Sequence, residues 1–136
     1  MARRSCRIRF LLLLCAALAS CGGFVDDESL DGNYRLVAVD LREGMHIAYS
    51  LGDGVTVERV PDTVFAAGYD ANYIVAARHP HNDRSITEYY YVIRTLDGPS
   101  VESSVAVRGP FEQQMYSSES KRLGLPALTI EMEDLK

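Results

Sequence analysis

Val64-Phe65-Ala66-Ala67-Gly68-Tyr69, then Asp70-Ala71-Asn72, then Tyr73-Ile74-Val75-Ala76-Ala77-Arg78-His79: two short apolar runs meet at a polar turn. Each run has strand length and is rich in β-branched and aromatic residues, and the Asp and Asn between them are turn formers. The pattern predicts an antiparallel hairpin with strands over Thr63–Tyr69 and Tyr73–His79. Both runs are apolar on both faces, Val64 to Ala67 on one side and Ile74 to Ala77 on the other. Strands of that kind sit centrally in a sheet that is covered on both sides.

Upstream, the chain continues with period two. Tyr34 to Leu41 reads as a strand and Glu43-Gly44 breaks it. In Met45-His46-Ile47-Ala48-Tyr49-Ser50-Leu51 the large apolar residues occupy every odd position, which buries one face. Gly52-Asp53-Gly54 turns the chain into Val55–Val60, and Pro61-Asp62 ends that run. Downstream, His79 to Ser85 is a polar loop and Ile86 to Arg94 an aromatic strand. Asp97-Gly98-Pro99 is a turn, and Val101 to Val107 reads as a weaker strand. A helix is predicted over residues 110–123. Pro110 stands where a first helical residue loses nothing by lacking its N–H, and Phe111, Met115 and Leu123 share a face. Lys121 and Arg122 suit the negative end of the helix dipole, and Gly124 and Pro126 stop it. Leu128 to Met132 alternates and is expected to add an edge strand. No internal repeat is present. The expected fold class is α+β, an antiparallel β meander of about six strands with one C-terminal helix packed on it.

The first twenty residues differ in kind. Arg3, Arg4, Arg7 and Arg9 precede the apolar run Phe10-Leu11-Leu12-Leu13-Leu14-Cys15-Ala16-Ala17-Leu18, and no acid occurs among them. A charged start and a short apolar stretch make a secretion signal, and the stretch is too short to span a hydrocarbon core of about 30 Å. It ends in Leu18-Ala19-Ser20-Cys21, which resembles the lipobox of bacterial lipoproteins. The resemblance implies diacylglyceryl transfer to the Cys21 sulfur and cleavage between Ser20 and Cys21. Residues 1–20 are then the signal peptide, 21–32 the lipidated N-terminus and a flexible tether, and 33–136 a single β-rich globular domain. The polar, glycine-bearing composition of this segment predicts the tether, with a mean reach of roughly 18 Å. Gly22 follows the cysteine. In a Gram-negative cell the resemblance implies the outer membrane, facing the periplasm; in a Gram-positive cell it implies the outer face of the single membrane.

Loss of the signal changes the composition. The four arginines leave, so Lys plus Arg falls from 14 to 10 against 19 acids, and the net charge moves from −5 to −9. Such a chain lacks the basic stripe that nucleic acid requires. Cys6 and Cys15 leave too, and lipid occupies Cys21, so no thiol remains for a disulfide, a zinc site or a nucleophile.

The body is similar to a family of small uncharacterised bacterial lipoproteins. The residues that carry the likeness are Val64-Phe65-Ala66-Ala67-Gly68-Tyr69, Tyr73 through Pro80, Tyr89-Tyr90-Tyr91-Val92-Ile93 and Gly109-Pro110-Phe111. The likeness spans about residues 32–125. It implies the fold and carries no activity.

Two groups of residues stand out as candidates for function. Tyr89 and Tyr91 alternate with Tyr90, and exposed tyrosines make good binding area. His79-Pro80-His81-Asn82-Asp83 brings two imidazoles and a carboxylate into one loop. Residues two apart in extended chain lie about 6–7 Å apart, so a metal would need the loop to curl. The candidate binding patch is therefore Tyr89, Tyr90, Tyr91, His79 and His81, with no resident metal or cofactor expected. Ser50, Ser85, Ser103 and Ser104 lie in no nucleophile-elbow context. The acids of Asp26-Asp27-Glu28 and Glu131 to Asp134 lie near the ends of the mature chain. The expectation is a non-enzymatic envelope lipoprotein that holds the bilayer through Cys21 and binds an envelope protein or component. The alternatives are an inhibitor or immunity-type lipoprotein against a cationic hydrolase, whose signature is salt-sensitive inhibition, and a weak metal-binding protein using the His79–Asp83 loop.

Overall fold

The structure, a computed structural model, describes residues 24–136. The signal segment and Cys21 lie outside the described residues. Four strands come first: β1 (Asp26–Asp31), β2 (Tyr34–Ala38), β3 (His46–Gly52) and β4 (Val55–Val60). They form an antiparallel sheet in the order β1-β2-β3-β4. The second sheet begins with β5 (Val64–Tyr69), β6 (Tyr73–Arg78) and β7 (Glu88–Ile93). After a short helix α1 (Ser103–Ala106) come β8 (Val107–Phe111), the main helix α2 (Gln113–Leu123) and β9 (Ile130–Glu131). Its order is β8-β7-β6-β5-β9, again antiparallel.

The hairpin read first in the sequence is the heart of the second sheet. Asp70 Oδ1 accepts the backbone N–H groups of Asn72 at 2.8 Å and Tyr73 at 2.7 Å. A side-chain carboxylate thus supplies the turn's hydrogen bonds, which is why Asp begins it. β6 lies in the middle, bonded to β5 and β7, and Ile74, Val75, Ala76 and Ala77 are all buried. One face packs on the first sheet in a shared core that includes Leu36, Ile47 and Val60 with Val64, Ile74 and Val92. On β5 the chain after α2 comes so close that a Cβ on Gly68 would stand 1.9 Å from the Ala127 carbonyl oxygen. Only a residue without a side chain fits there.

The α+β architecture is as expected, with differences in detail. There are nine strands in two sheets among the described residues, where one meander of about six was expected. Residues 26–31, expected to belong to the flexible tether, form β1. Its backbone pairs with β2 from Asp26 opposite Ala38 to Asp31 opposite Tyr34. An edge strand with one face in water reads as polar composition, and charge along an edge discourages further pairing. Leu30 alone is buried. The weak strand expected over Val101–Val107 is instead α1 followed by β8, and the predicted start of the helix moves from Pro110 to Gln113. Pro110 lies within β8, at the edge of the sheet, where a strand tolerates a missing N–H. Gly124 ends α2 in the left-handed conformation with its N–H on the Ser120 carbonyl, as its position predicted. Leu128 to Met132 contributes β9, which pairs with β5 at Ala66 and Ala67.

Candidate functional site

Strand direction sorts the loops to two ends of the molecule. β1 starts, β2 ends and β3 starts at one end, which also holds the connections from β4 to β5 and from β6 to β7. The opposite end carries the turns at 32–33, 52–54 and 70–72. The histidine loop therefore lies at the end where the described chain begins.

His79 closes β6 and is 4 % exposed. Its backbone N–H and C=O exchange hydrogen bonds with Thr63, and its ring stacks on Phe65 with centroids 4.3 Å apart. Nδ1 donates to the Ile86 carbonyl at 2.8 Å, and Nε2 is enclosed without a polar partner. The chain then turns tightly through Pro80, His81 and Asn82. His81 and Asn82 both adopt positive φ, 53° and 55°. Asp83 accepts from the Ser85 N–H at 3.0 Å and its hydroxyl at 2.6 Å, and the Ser85 hydroxyl holds its carboxyl below the usual carboxylate range. Arg84 donates to Asn82 and to the Lys136 carbonyl. The loop is a braced structure, although its side chains face water.

The two imidazoles do not share a surface. His79 is buried against Phe65, and His81 is exposed at the rim of a cleft. Among the described residues no three His, Cys, Asp or Glu side chains come together to hold a metal ion. The cleft, about 330 Å³, lies between the histidine loop, the loop from β2 to β3 and the Asp62–Thr63 connection. Val39 and Leu41 give it apolar walls, and Asp40, Glu43 and Asp62 give it carboxylates. Thr63 is the one hydroxyl side chain lining it, and that hydroxyl donates to the Glu43 carbonyl. The arrangement suits the binding of a group with an apolar body and a positive or N–H-bearing head.

The tyrosines do not form the exposed patch considered from the sequence. Tyr90 is 7 % exposed and belongs to the core between the sheets, with the Arg78 guanidinium 5.5 Å from its ring centroid. Tyr91 is 4 % exposed; it stacks on Phe111 and its hydroxyl donates to Glu119 Oε2 at 2.7 Å. Tyr89 is half-buried and stacks on Tyr116 of α2 at 4.7 Å. Alternation put Tyr89 and Tyr91 on one face, as expected, but α2 covers that face. Their physical role is to join helix and sheet.

One polar constellation went unread in the sequence. Arg59 and Asp97 form an ion pair with side chains 1 % and 0 % exposed, Arg59 Nε lying 2.9 Å from Asp97 Oδ2. The Arg59 Nη atoms donate to the carbonyls of Glu58, Gly98 and Val101 and to Ser103 Oγ. The Tyr34 hydroxyl donates to Asp97 at 2.9 Å, and burial, followed by that carboxylate, raises the phenol's pKa. The network ties β4 and β2 to the chain after β7. Asp97-Gly98-Pro99 signalled only a turn, and nothing local in the sequence pairs Asp97 with an arginine 38 residues earlier.

Among the described residues no helix is long and apolar enough to cross a membrane. No curated protein and no solved structure matches the chain. Residues 31–136 match the family described as "Protein of unknown function (DUF3997)", from β2 through β9 with α2, and the chain belongs to that family.

Proposed function

We propose that the protein is an envelope lipoprotein, anchored by acyl chains on Cys21, whose domain binds an envelope component and performs no chemistry on it. The observation that carries this reading is the run from Arg3 to Cys21: arginines, an apolar stretch of signal length, then Leu18-Ala19-Ser20-Cys21 directly ahead of the folded residues. Two or three acyl chains, each methylene worth about 0.8 kcal/mol, make such an anchor stable where one would not. The binding role draws support from the cleft beside His81, which has apolar walls and three carboxylates and whose single hydroxyl is already engaged. Its place is the outer membrane facing the periplasm in a Gram-negative cell, or the outer face of the membrane in a Gram-positive one.

The test is expression of the full gene followed by fractionation and mass measurement of the N-terminal peptide. The wild type is expected in the membrane fraction with Cys21 as its first residue and acyl mass added. The Cys21→Ser variant is expected to lose the lipid and the processing that depends on it. A wild-type protein that is soluble with a free Cys21 thiol would refute the anchor.

A further inference from the structure

We infer that the end of the domain bearing Val25, Val39, Leu41 and Ile86 is a membrane-docking face, seated on the surface of the bilayer that holds the anchor. The inference rests on the lipidation of Cys21 proposed above, and it names the bilayer surface as the envelope component that the cleft walls Val39 and Leu41 meet. Val25, Val39 and Leu41 are 56, 47 and 68 % exposed, and Ile86 is 46 % exposed. Exposed apolar side chains occur at the opposite end too, Leu51, Val55 and Tyr69 among them, so exposure marks candidate interaction surfaces and something else must choose between them.

Connectivity chooses the occupant. The Val25 N–H bonds to the Ala38 carbonyl at 2.7 Å, so the chain enters the fold beside Val39. Cys21 is three residues before Phe24, a span of at most about 11 Å when fully extended. The folded start of β1 at Asp26 leaves no long tether to carry this end away from the acyl chains. A surface held that close to a bilayer meets headgroups before anything else, and tethering replaces the entropy of a free encounter.

Charge sets the kind of lipid surface. Arg42 is paired with both Asp26 and Asp134, and Arg84 is bound to the C-terminal carbonyls. Asp40, Glu43 and Asp62 are exposed around the same end. Among the described residues this end has no surplus of cations to seek anionic lipid. The contact is one of apolar side chains entering a zwitterionic interface, with the carboxylates remaining among the headgroups.

The chain contains no Trp, so a single substitution provides a reporter. Leu41→Trp places it on the proposed face. Val55→Trp places it at the start of β4, beyond the Gly52–Gly54 turn at the other end of β3, where Val55 is 54 % exposed. Each variant, expressed from the full gene, is extracted from membranes and reconstituted in phosphatidylcholine vesicles. A thermal melt matching wild type verifies the fold, and the mass of the N-terminal peptide reads the lipid on Cys21. The Leu41→Trp emission is expected to shift to the blue and to lose about half its intensity to brominated acyl chains, a depth of roughly 5–10 Å. The Val55→Trp emission should do neither, and added anionic lipid should not strengthen the Leu41→Trp response. Lipidated protein whose Leu41→Trp emission is unquenched overturns the docking face alone. A blue shift without quenching also overturns it, because a second copy of the chain would then cover the face. Protein without lipid on Cys21 overturns the anchor and the docking face together.

Discussion

Replacing Arg59 by Met removes, among the described residues, the one side-chain cation paired with Asp97, whose side chain is 0 % exposed. Asp97 would keep the Tyr34 hydroxyl and the Gly98 N–H, but its charge would be uncompensated. Breaking one side of a buried pair costs about 3–5 kcal/mol, and Arg59→Met is expected to lose that much in urea unfolding. Arg59→Lys should recover little, since an ammonium cannot reach three carbonyls, a hydroxyl and a carboxylate at once. Removing both charges, with Asp97→Leu added, should restore much of the loss. An Arg59→Met protein within about 0.5 kcal/mol of wild type would contradict this account. The roles of Arg59 and His79 show where reading by residue stops. An arginine on a strand of alternating valines looks like a surface residue, and a histidine in a polar run looks like a loop residue. Asp97 is 38 positions from Arg59, and His79 meets Phe65 across a strand pair and Ile86 across its own loop, so only folding brings these partners together.

α2 is held to the sheet by phenols that burial keeps neutral. Burial lifts Tyr91 from an ordinary 10.0 to about 12, and its hydrogen bond to Glu119 adds to the effect. Tyr116 rises to about 12 through burial, with Tyr89 beside it. A phenol with a raised value in the folded state favours the protonated form there. Its contribution is fully present below pH 10, where the unfolded chain also keeps its proton, and is lost as pH rises through about 12. Unfolding measured against pH should therefore show stability falling between about pH 10 and 12. Tyr91→Phe should fall less steeply in that window, and an unchanged slope would remove Tyr91 from the explanation. At this scale much was legible. The hairpin of β5 and β6, the strands β3 and β4, the end of α2 at Gly124 and the edge strand β9 all follow from periodicity and turn chemistry. β1 and β8 were not, because each is an edge strand whose composition is polar or contains glycine and proline, and whose order comes from pairing with a neighbour.

For the whole molecule, the three cysteines all lie at or before position 21, so residues 24–136 contain none. The fold stands on the core between its two sheets, where each fully buried Val, Leu or Ile side chain contributes about 1.5–3 kcal/mol. A thermal melt is therefore expected to be the same with and without dithiothreitol, and a lowered midpoint under reduction would contradict a fold that residues 24–136 hold together without a thiol. The number of sheets was the main thing composition concealed. Apolar residues on both faces of β5 and β6 require a cover on each side, but they do not say whether that cover is a sheet or a helix; here it is the first sheet on one face and, on the other, α2 and the segment that follows it.

The ion pairs of Arg42 join Asp26 at the opening of β1 to Asp134 near the last residue, and the Arg42–Asp134 bond spans 92 positions. Leu135 beside it is 1 % exposed. A chain made from its N-terminus presents β1 first and receives the clasp for β1 last. β1 is thus fully braced only once Asp134 has been made, and contacts of such long range slow folding.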